Sequence, residues 1–287
     1  MGLKNSNFQR WLVRAASIVP VAWKVALRGE RGSPSRLANL IHSVLNRLPM
    51  SGYPVLPCEG PLRGYRMKVD WRFHRAFVYG TWEPEFVDAV CRNASAGMTA
   101  FDLGAQSGFF TLMLSRIVGH SGQVISFEPL PANFRILCEN VALNELTNVR
   151  CFSDAIAEIS GEMAFEFPCH QASMVAGPVL PEDSRGIFQV PGVALDDFVD
   201  RENIPVHFIK MDIEGAETAA LRGALRTLDK FHPTMAVELH FSGKPVGPHP
   251  AVTILRKLGY EITPLNQPGV TGHILARYGP PDRNPRI

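Results

Sequence analysis

From Thr99 onward, short apolar runs of strand length alternate with segments whose apolar residues recur at helical spacing. Thr99–Leu103 reads as a strand, Phe109–Val118 as a helix, Gln123–Phe127 as a strand, Ala132–Leu143 as a helix and Val149–Ser153 as a strand. After an interruption the pattern resumes with a strand at Val206–Met211, a helix at Ala216–Leu228 and a strand at Met235–Leu239. A helix at Ala251–Leu258 and strands at Tyr260–Thr263 and His273–Ala276 complete it. Alternation of this kind predicts a Rossmann-like α/β fold: a mostly parallel seven-stranded sheet, right-handed crossovers, and helices on both faces.

The interruption runs from Gly161 to Pro191. It carries Pro168, Pro178, Pro181 and Pro191 with several Gly and Ser, and reads as an excursion with one short strand near Met163–Phe167. Insertions of this type commonly form lids, so His170, Gln171 and Ser173 could line an acceptor pocket.

Residues 1 to 50 read as a helical N-terminal extension with Pro and Gly breaks, Gly29–Pro34 being a linker, and residues 51 to 287 as the main domain. Tyr53–Val69 has the punctuation of a hairpin leading into that domain. The extension holds Lys4, Arg10, Arg14, Lys24, Arg28, Arg31, Arg36 and Arg47 against a single acid, Glu30. Its apolar stretch, Ala15–Leu27, is too short and too interrupted by Pro20 and Lys24 to span a bilayer. Packing on the domain is one reading of this arm. A surface-lying amphipathic helix, with Trp11, Leu12, Ile18 and Trp23 interleaved among bases, is the other, and would give peripheral membrane contact.

With 46% hydrophobic and 20% charged residues, the 287-residue chain has the composition of a folded protein. A net charge of only +2 gives little support to nucleic-acid binding. The five cysteines, Cys58, Cys91, Cys138, Cys151 and Cys169, are odd in number and none has CxxC spacing. That pattern fits reduced thiols in a cytoplasmic protein, with no disulfide framework and no zinc site.

Two acids at successive strand ends carry the first chemical signal. In Phe101-Asp102-Leu103-Gly104-Ala105-Gln106-Ser107-Gly108-Phe109 a strand runs through a two-glycine turn into a helix. A dinucleotide pyrophosphate favours a helix N-terminus without a carboxylate beside it. Asp102 instead suits a cationic amino group, such as the methionine ammonium of S-adenosylmethionine. Glu128, in Ser126-Phe127-Glu128-Pro129, stands at the next strand end, where an acid binds ribose hydroxyls. Asp154, after the third strand, could accept from the adenine amino group or be a turn residue.

The chain from Tyr79 to Glu238 resembles the FkbM-type S-adenosylmethionine-dependent methyltransferases. The likeness rests on Gly80-Thr81-Trp82-Glu83-Pro84-Glu85, the glycine turn, Glu128-Pro129-Leu130-Pro131, Asn140-Val141-Ala142-Leu143-Asn144, Leu195-Asp196-Asp197 and Lys210-Met211-Asp212-Ile213-Glu214-Gly215-Ala216-Glu217. Gln106, Phe109-Phe110 and Leu130 depart from the family pattern, which usually has Asn, a Tyr pair and Asn there. The resemblance implies a class I methyltransferase fold and S-adenosylmethionine as cofactor. The cofactor-binding set is Glu83, Asp102, Gly104, Ala105, Ser107, Gly108, Glu128, Pro129, Asp154, Ala155 and Lys210. It further implies O-methylation of a small-molecule or glycan hydroxyl, on a sugar, a polyketide or another secondary metabolite.

For the transfer itself, His240 is the expected base, assisted by Asp212 or Glu238, because an unperturbed imidazole titrates near neutral pH. The same three residues could instead hold a divalent metal. Lys210 could pair with Asp212 or Glu214, which would argue against that metal. Methyl transfer to nitrogen, a non-catalytic cofactor-binding protein and a nucleotide-dependent oxidoreductase are the competing readings; the last would want GxGxxG, and this turn is GxxxG.

Overall fold

A computed structural model describes residues 55–69, 71–166, 187–240, 249–265 and 271–279. The basic arm, His170, Gln171, Ser173 and Cys169 lie outside the described residues. The chain divides into two compact units, Met1–Trp82 and Glu83–Ile287.

In the first unit, β1 (Val55–Pro57) and β2 (Arg66–Lys68) form the expected antiparallel hairpin, with Leu56 opposite Met67. The helix α1 (Trp71–Tyr79) follows; it was not anticipated.

The second unit opens with α2 (Pro84–Asn93), also unanticipated. Its signal was legible: Pro84 at the first helical position, then Phe86, Ala89 and Val90 spaced to bury one face. The alternation then runs β3 (Thr99–Leu103), α3 (Phe109–Val118), β4 (Gln123–Phe127), α4 (Pro131–Leu143) and β5 (Val149–Phe152). Next come β6 (Ala155–Ala157), β7 (Gly161–Glu166), β8 (Ile187–Ala194) and α5 (Leu195–Glu202). The chain continues through β9 (Phe208–Met211), α6 (Glu217–Arg222), α7 (Leu225–Phe231) and β10 (Thr234–His240). Beyond it lie α8 (Pro250–Lys257), β11 (Tyr260–Pro264) and β12 (Thr271–Tyr278).

The main sheet has seven strands in the order β11-β12-β10-β9-β3-β4-β5. All pairings from β10 to β5 are parallel, and β12 runs antiparallel to both β10 and β11. This is the Rossmann-like arrangement expected, a mostly parallel seven-stranded sheet. Strands β3 and β9 are neighbours although the chain passes from β3 to β4 on the other side, so a topological switch point falls between them.

Strand alternation divides the sheet chemically. Phe101, Leu103, Ile125 and Phe127 enter one large core with Phe198 and Val199 of α5, Leu221 of α6, Leu228 of α7 and Leu255 of α8. Asp102 and Ser126 face the opposite side, where Thr111 of α3 meets both. Helices therefore cover both faces.

Two expectations are corrected. The excursion does not stay irregular to its end: β8 pairs antiparallel with β7 and parallel with β6, making a separate three-stranded sheet. The helix expected over Ala216–Leu228 is two, α6 and α7. They separate at Gly223, where any side chain would strike the carbonyl of Ala157. Asp196 of the Leu195-Asp196-Asp197 motif accepts from the backbone N–H of Arg226 and Thr227 at 3.0 and 2.7 Å, capping α7. Among the described residues no helix is long and apolar enough to cross a membrane.

Candidate active site

The turn after β3 is held from within. The N–H groups of Gly104 and Ala105 both donate to Phe127 O, at 3.0 and 2.9 Å, and that of Gly108 to Ala105 O at 2.8 Å. Gln106 N–H donates to Glu128 Oε2 at 2.8 Å. These four donors are committed inside the protein, so the turn offers no cradle of N–H groups for a pyrophosphate. Gly104 has φ +80, and a Cβ there would collide with the backbone carbonyl of Asp212. Gly108, at φ +96, lets α3 approach Leu137 of α4, whose Cδ1 would lie 2.9 Å from an added Cβ. Its demand is thus internal packing. Ser107 and Ala105 are buried, and Asn140 holds Ser107 O at 2.7 Å.

Asp102 is not placed as the sequence suggested. It is fully buried, with Thr111 Oγ1 donating to it at 2.6 Å and Lys210 Nζ 3.1 Å away. Lys210 likewise does not pair with Glu214 or Asp212. It lies directly across from Asp102 in the register of β3 and β9, and its Nζ also donates to Gly104 O at 2.7 Å and sits 5.0 Å over the Phe110 ring. Both residues support the glycine turn from beneath. Only the register brings them together, and sequence spacing does not contain the register.

Glu128 ends β4 beside that turn. Its carboxylate accepts from Gln106 N–H and, at 2.9 Å, from Leu130 N–H. Burial pushes its pKa up to about 7, against the lowering effect of those two hydrogen bonds. Pro129 is half-buried next to it. Asp154 is half-buried between β5 and β6, and Ala155 is buried in β6, paired with Gly192.

A second group of polar residues gathers at the carboxyl ends of β9 and β10. Glu238 stands opposite His273 in the β10–β12 register. Its Oε2 is 3.3 Å from His273 Nε2, which lies 3.6 Å from Glu83 Oε2. Its Oε1 is 3.8 Å from His240 Nε2. That nitrogen also has Glu214 Oε2 at 3.4 Å and Asp212 Oδ1 at 3.8 Å. The other ring nitrogen, Nδ1, is 2.9 Å from Glu217 Oε1. Phe86 of α2 stacks on His273 with centroids 4.6 Å apart. The structure therefore unites the expected Asp212, Glu238 and His240, moves Glu83 into their company, and adds Glu214, Glu217 and His273. His273 carried no sequence signal beyond lying on a strand. Glu217 closes the Lys210–Glu217 motif, and nothing local to that segment points to the histidine it meets.

Crowded carboxylates reset the proton affinities. Burial raises Asp212 to about 7, with Lys210 opposing and Glu238 reinforcing the shift. Burial and then the charge of Glu238 raise Glu83 to about 8. For His240 burial alone would lower the pKa, yet the hydrogen bond to Glu217 and the charges of Asp212, Glu217 and Glu238 prevail and lift it to about 9. The expected near-neutral imidazole is thus an imidazolium at pH 7.

The donor set fits S-adenosylmethionine on its chemistry. Glu83, Asp212, Glu214 and Glu238 suit a molecule with sulfonium and ammonium charges, Glu128 suits a ribose diol, and the turn between them has no phosphate-binding character.

A family model described as the methyltransferase FkbM domain matches residues 102–262. Among solved structures, the methyltransferase FkbM of Methylobacillus flagellatus is 20% identical, with 65% of this chain and 44% of that chain covered and a TM-score of 0.43. This chain therefore spans less than half the length of that protein. A SAM-dependent methyltransferase of Aquifex aeolicus is 17% identical over 71% of this chain and 92% of that chain, with a TM-score of 0.41. Fibrillarin of Aeropyrum pernix, in complex with S-adenosyl-L-methionine, is 15% identical over 67% and 75%, with a TM-score of 0.43. No functionally curated protein matches.

Proposed function

Because the chain belongs to the FkbM methyltransferase family and uses S-adenosylmethionine, we propose that it methylates a hydroxyl oxygen of a small molecule or glycan at the ends of β9 and β10. The observation that carries this reading is the convergence of Asp212, Glu214 and Glu238 on Nε2 of His240, beside the switch point where this fold binds ligands. S-adenosylmethionine, when bound, would supply a methyl group activated on its sulfonium, the S–CH3 bond breaking as the O–C bond forms and the rest departing as a neutral thioether.

The chain's own residues do the rest. Glu128 receives the ribose hydroxyls, while Asp102 and Lys210 keep the glycine turn in shape from below. Asp212 takes the proton from the acceptor hydroxyl, since a carboxyl group raised to about 7 matches neutral pH better than His240 at about 9. His240, as imidazolium, compensates the surrounding carboxylates and, after Lys210, favours the ionised form of Asp212. The roles expected from sequence are therefore exchanged. Holding the acceptor in line contributes on the order of 7–11 kcal/mol, more than the proton transfer does.

The test is calorimetry with S-adenosylmethionine and with NAD, followed by mass spectrometry on candidate alcohols and amines for the net gain of CH2, about 14 daltons, left when methyl replaces one hydrogen. Binding of NAD alone would end the proposal, and a gain on amines only would move the acceptor to nitrogen. One observation favours a second reading: ligand atoms of Asp212, Glu238 and His240 all lie within 4.8 Å of one another, as do those of Glu83, Glu238 and His273. Turnover lost in EDTA and restored by Mg²⁺ would select metal-held acceptor oxygens over a free carboxylate base.

A further inference from the structure

We infer that Glu217 is the positioning residue of this site, fixing the His240 ring by its Nδ1 so that Nε2 faces Asp212, Glu214 and Glu238. The inference rests on the reading that Asp212 and His240 serve the acceptor, and deepens it.

Glu217 is fully buried at the first position of α6, with its carboxylate turned toward the site and away from water. Oε1 holds two groups at once: the backbone N–H of Gly215 at 2.9 Å and His240 Nδ1 at 2.9 Å. The first contact anchors the carboxylate to its own turn, so it is not free to follow the ring. The second holds the ring by its Nδ1–H, because a carboxylate can only accept there. An imidazole whose Nδ1–H is held in this way has a single orientation, and its Nε2 points wherever the backbone aims it.

The neighbours show why an anchor is needed. Three carboxylates lie 3.4–3.8 Å from Nε2, on β10 and on the segment after β9. Each is longer than a good hydrogen bond, and they pull in different directions. His249, at the start of α8, adds a further ring nearby. Without Glu217 the imidazolium could swing to pair tightly with any one of the three carboxylates, and Asp212 would lose a cation fixed 3.8 Å from its Oδ1. Asp212 and Glu238, the helpers expected from sequence, approach the ring at Nε2, whereas Glu217 holds it at Nδ1.

The readout is the His240 ring N–H signal in the full-length protein by NMR, which requires no acceptor. The signal is identified by its loss in His240→Gln. In the wild type, a downfield Nδ1–H protected from exchange is expected. Glu217→Gln, whose amide oxygen can still accept, should retain it, and Glu217→Ala should lose it while the backbone spectrum away from Gly215 and its neighbours stays in place. Absence of a protected Nδ1–H in the wild type would overturn the assignment even if Glu217→Ala does not fold. So would its survival in Glu217→Ala. With an identified acceptor, Glu217→Ala should lower kcat by a larger factor than it weakens S-adenosylmethionine, with Glu217→Gln restoring part of it. If the ring signal behaves as stated but His240→Gln turns over normally, the catalytic reading fails and the positioning contact remains.

Discussion

Lys210 and Asp102 face each other in register across the β3–β9 pair, with Nζ 3.1 Å from Oδ1 and neither side chain reaching solvent. A buried charge left without its partner is expensive, so Lys210→Met should destabilise the protein by about 3–5 kcal/mol in denaturant titration. Lys210→Met combined with Asp102→Asn should recover a substantial part of that loss. Unchanged stability of the single variant would show that the pair is not a support.

Gly104→Ala should abolish cofactor binding in calorimetry while far-UV circular dichroism stays native. The left-handed backbone alone costs a non-glycine residue about 1–3 kcal/mol, and the new methyl group meets the Asp212 carbonyl. The turn can relieve that collision only by moving away from β9. Wild-type affinity in this variant would mean that the turn does not shape the cofactor site.

Glu128 separates stability from binding. Its folded pKa of about 7 lies above the ordinary 4.5, so the folded chain binds this proton more tightly. The resulting stabilisation is complete below pH 4.5 and is lost as pH rises through about 7. Glu128→Gln should flatten that part of the melting-temperature profile and weaken S-adenosylmethionine about tenfold or more, as expected for loss of a charge-assisted hydrogen bond. Glu128→Ala should also lower stability by about 1–3 kcal/mol for each N–H left without an acceptor, at Gln106 and Leu130. An unchanged dissociation constant in both variants would remove Glu128 from the cofactor site.

The rate of methyl transfer should be bell-shaped in pH. Asp212 must be ionised, which gives a rise near 7, and His240 must be protonated, which gives a fall near 9; the two values belong to the coupled pair. Asp212→Asn should lower kcat about 10²–10⁴-fold and erase the rising limb. A single rise near 6.5, lost in His240→Ala, would return the base to an unshifted histidine.

His240 also contributes to pH-dependent stability. Its pKa is raised from 6.5 to about 9, so its contribution is complete below 6.5 and disappears as pH rises through about 9. Melting temperature should decline across that interval in the wild type and do so less in His240→Gln.

The central sheet was legible because its strands are buried on both faces and read as apolar runs at regular spacing. Thr99–Leu103 and Phe109–Val118 were bounded to the residue. Glycine-turn and acid motifs identified the family for the same reason: each is local in sequence. What failed was non-local. Asp102 lies opposite Lys210 and Glu238 opposite His273 because of strand register, which no single segment encodes. The shifts at Asp212 and His240 follow from that crowding, so an ordinary pKa could not foresee them. The three-stranded sheet was missed because β8 contains Pro191 and Gly192, residues that argue against a strand interior.

Strand β12 enters the sheet last in synthesis yet sits between β10 and β11, and it delivers His273 to the far side of Glu238. Withdrawing β12 would therefore bare the edges of both β10 and β11 at once and leave Glu238 without the ring that stands opposite it.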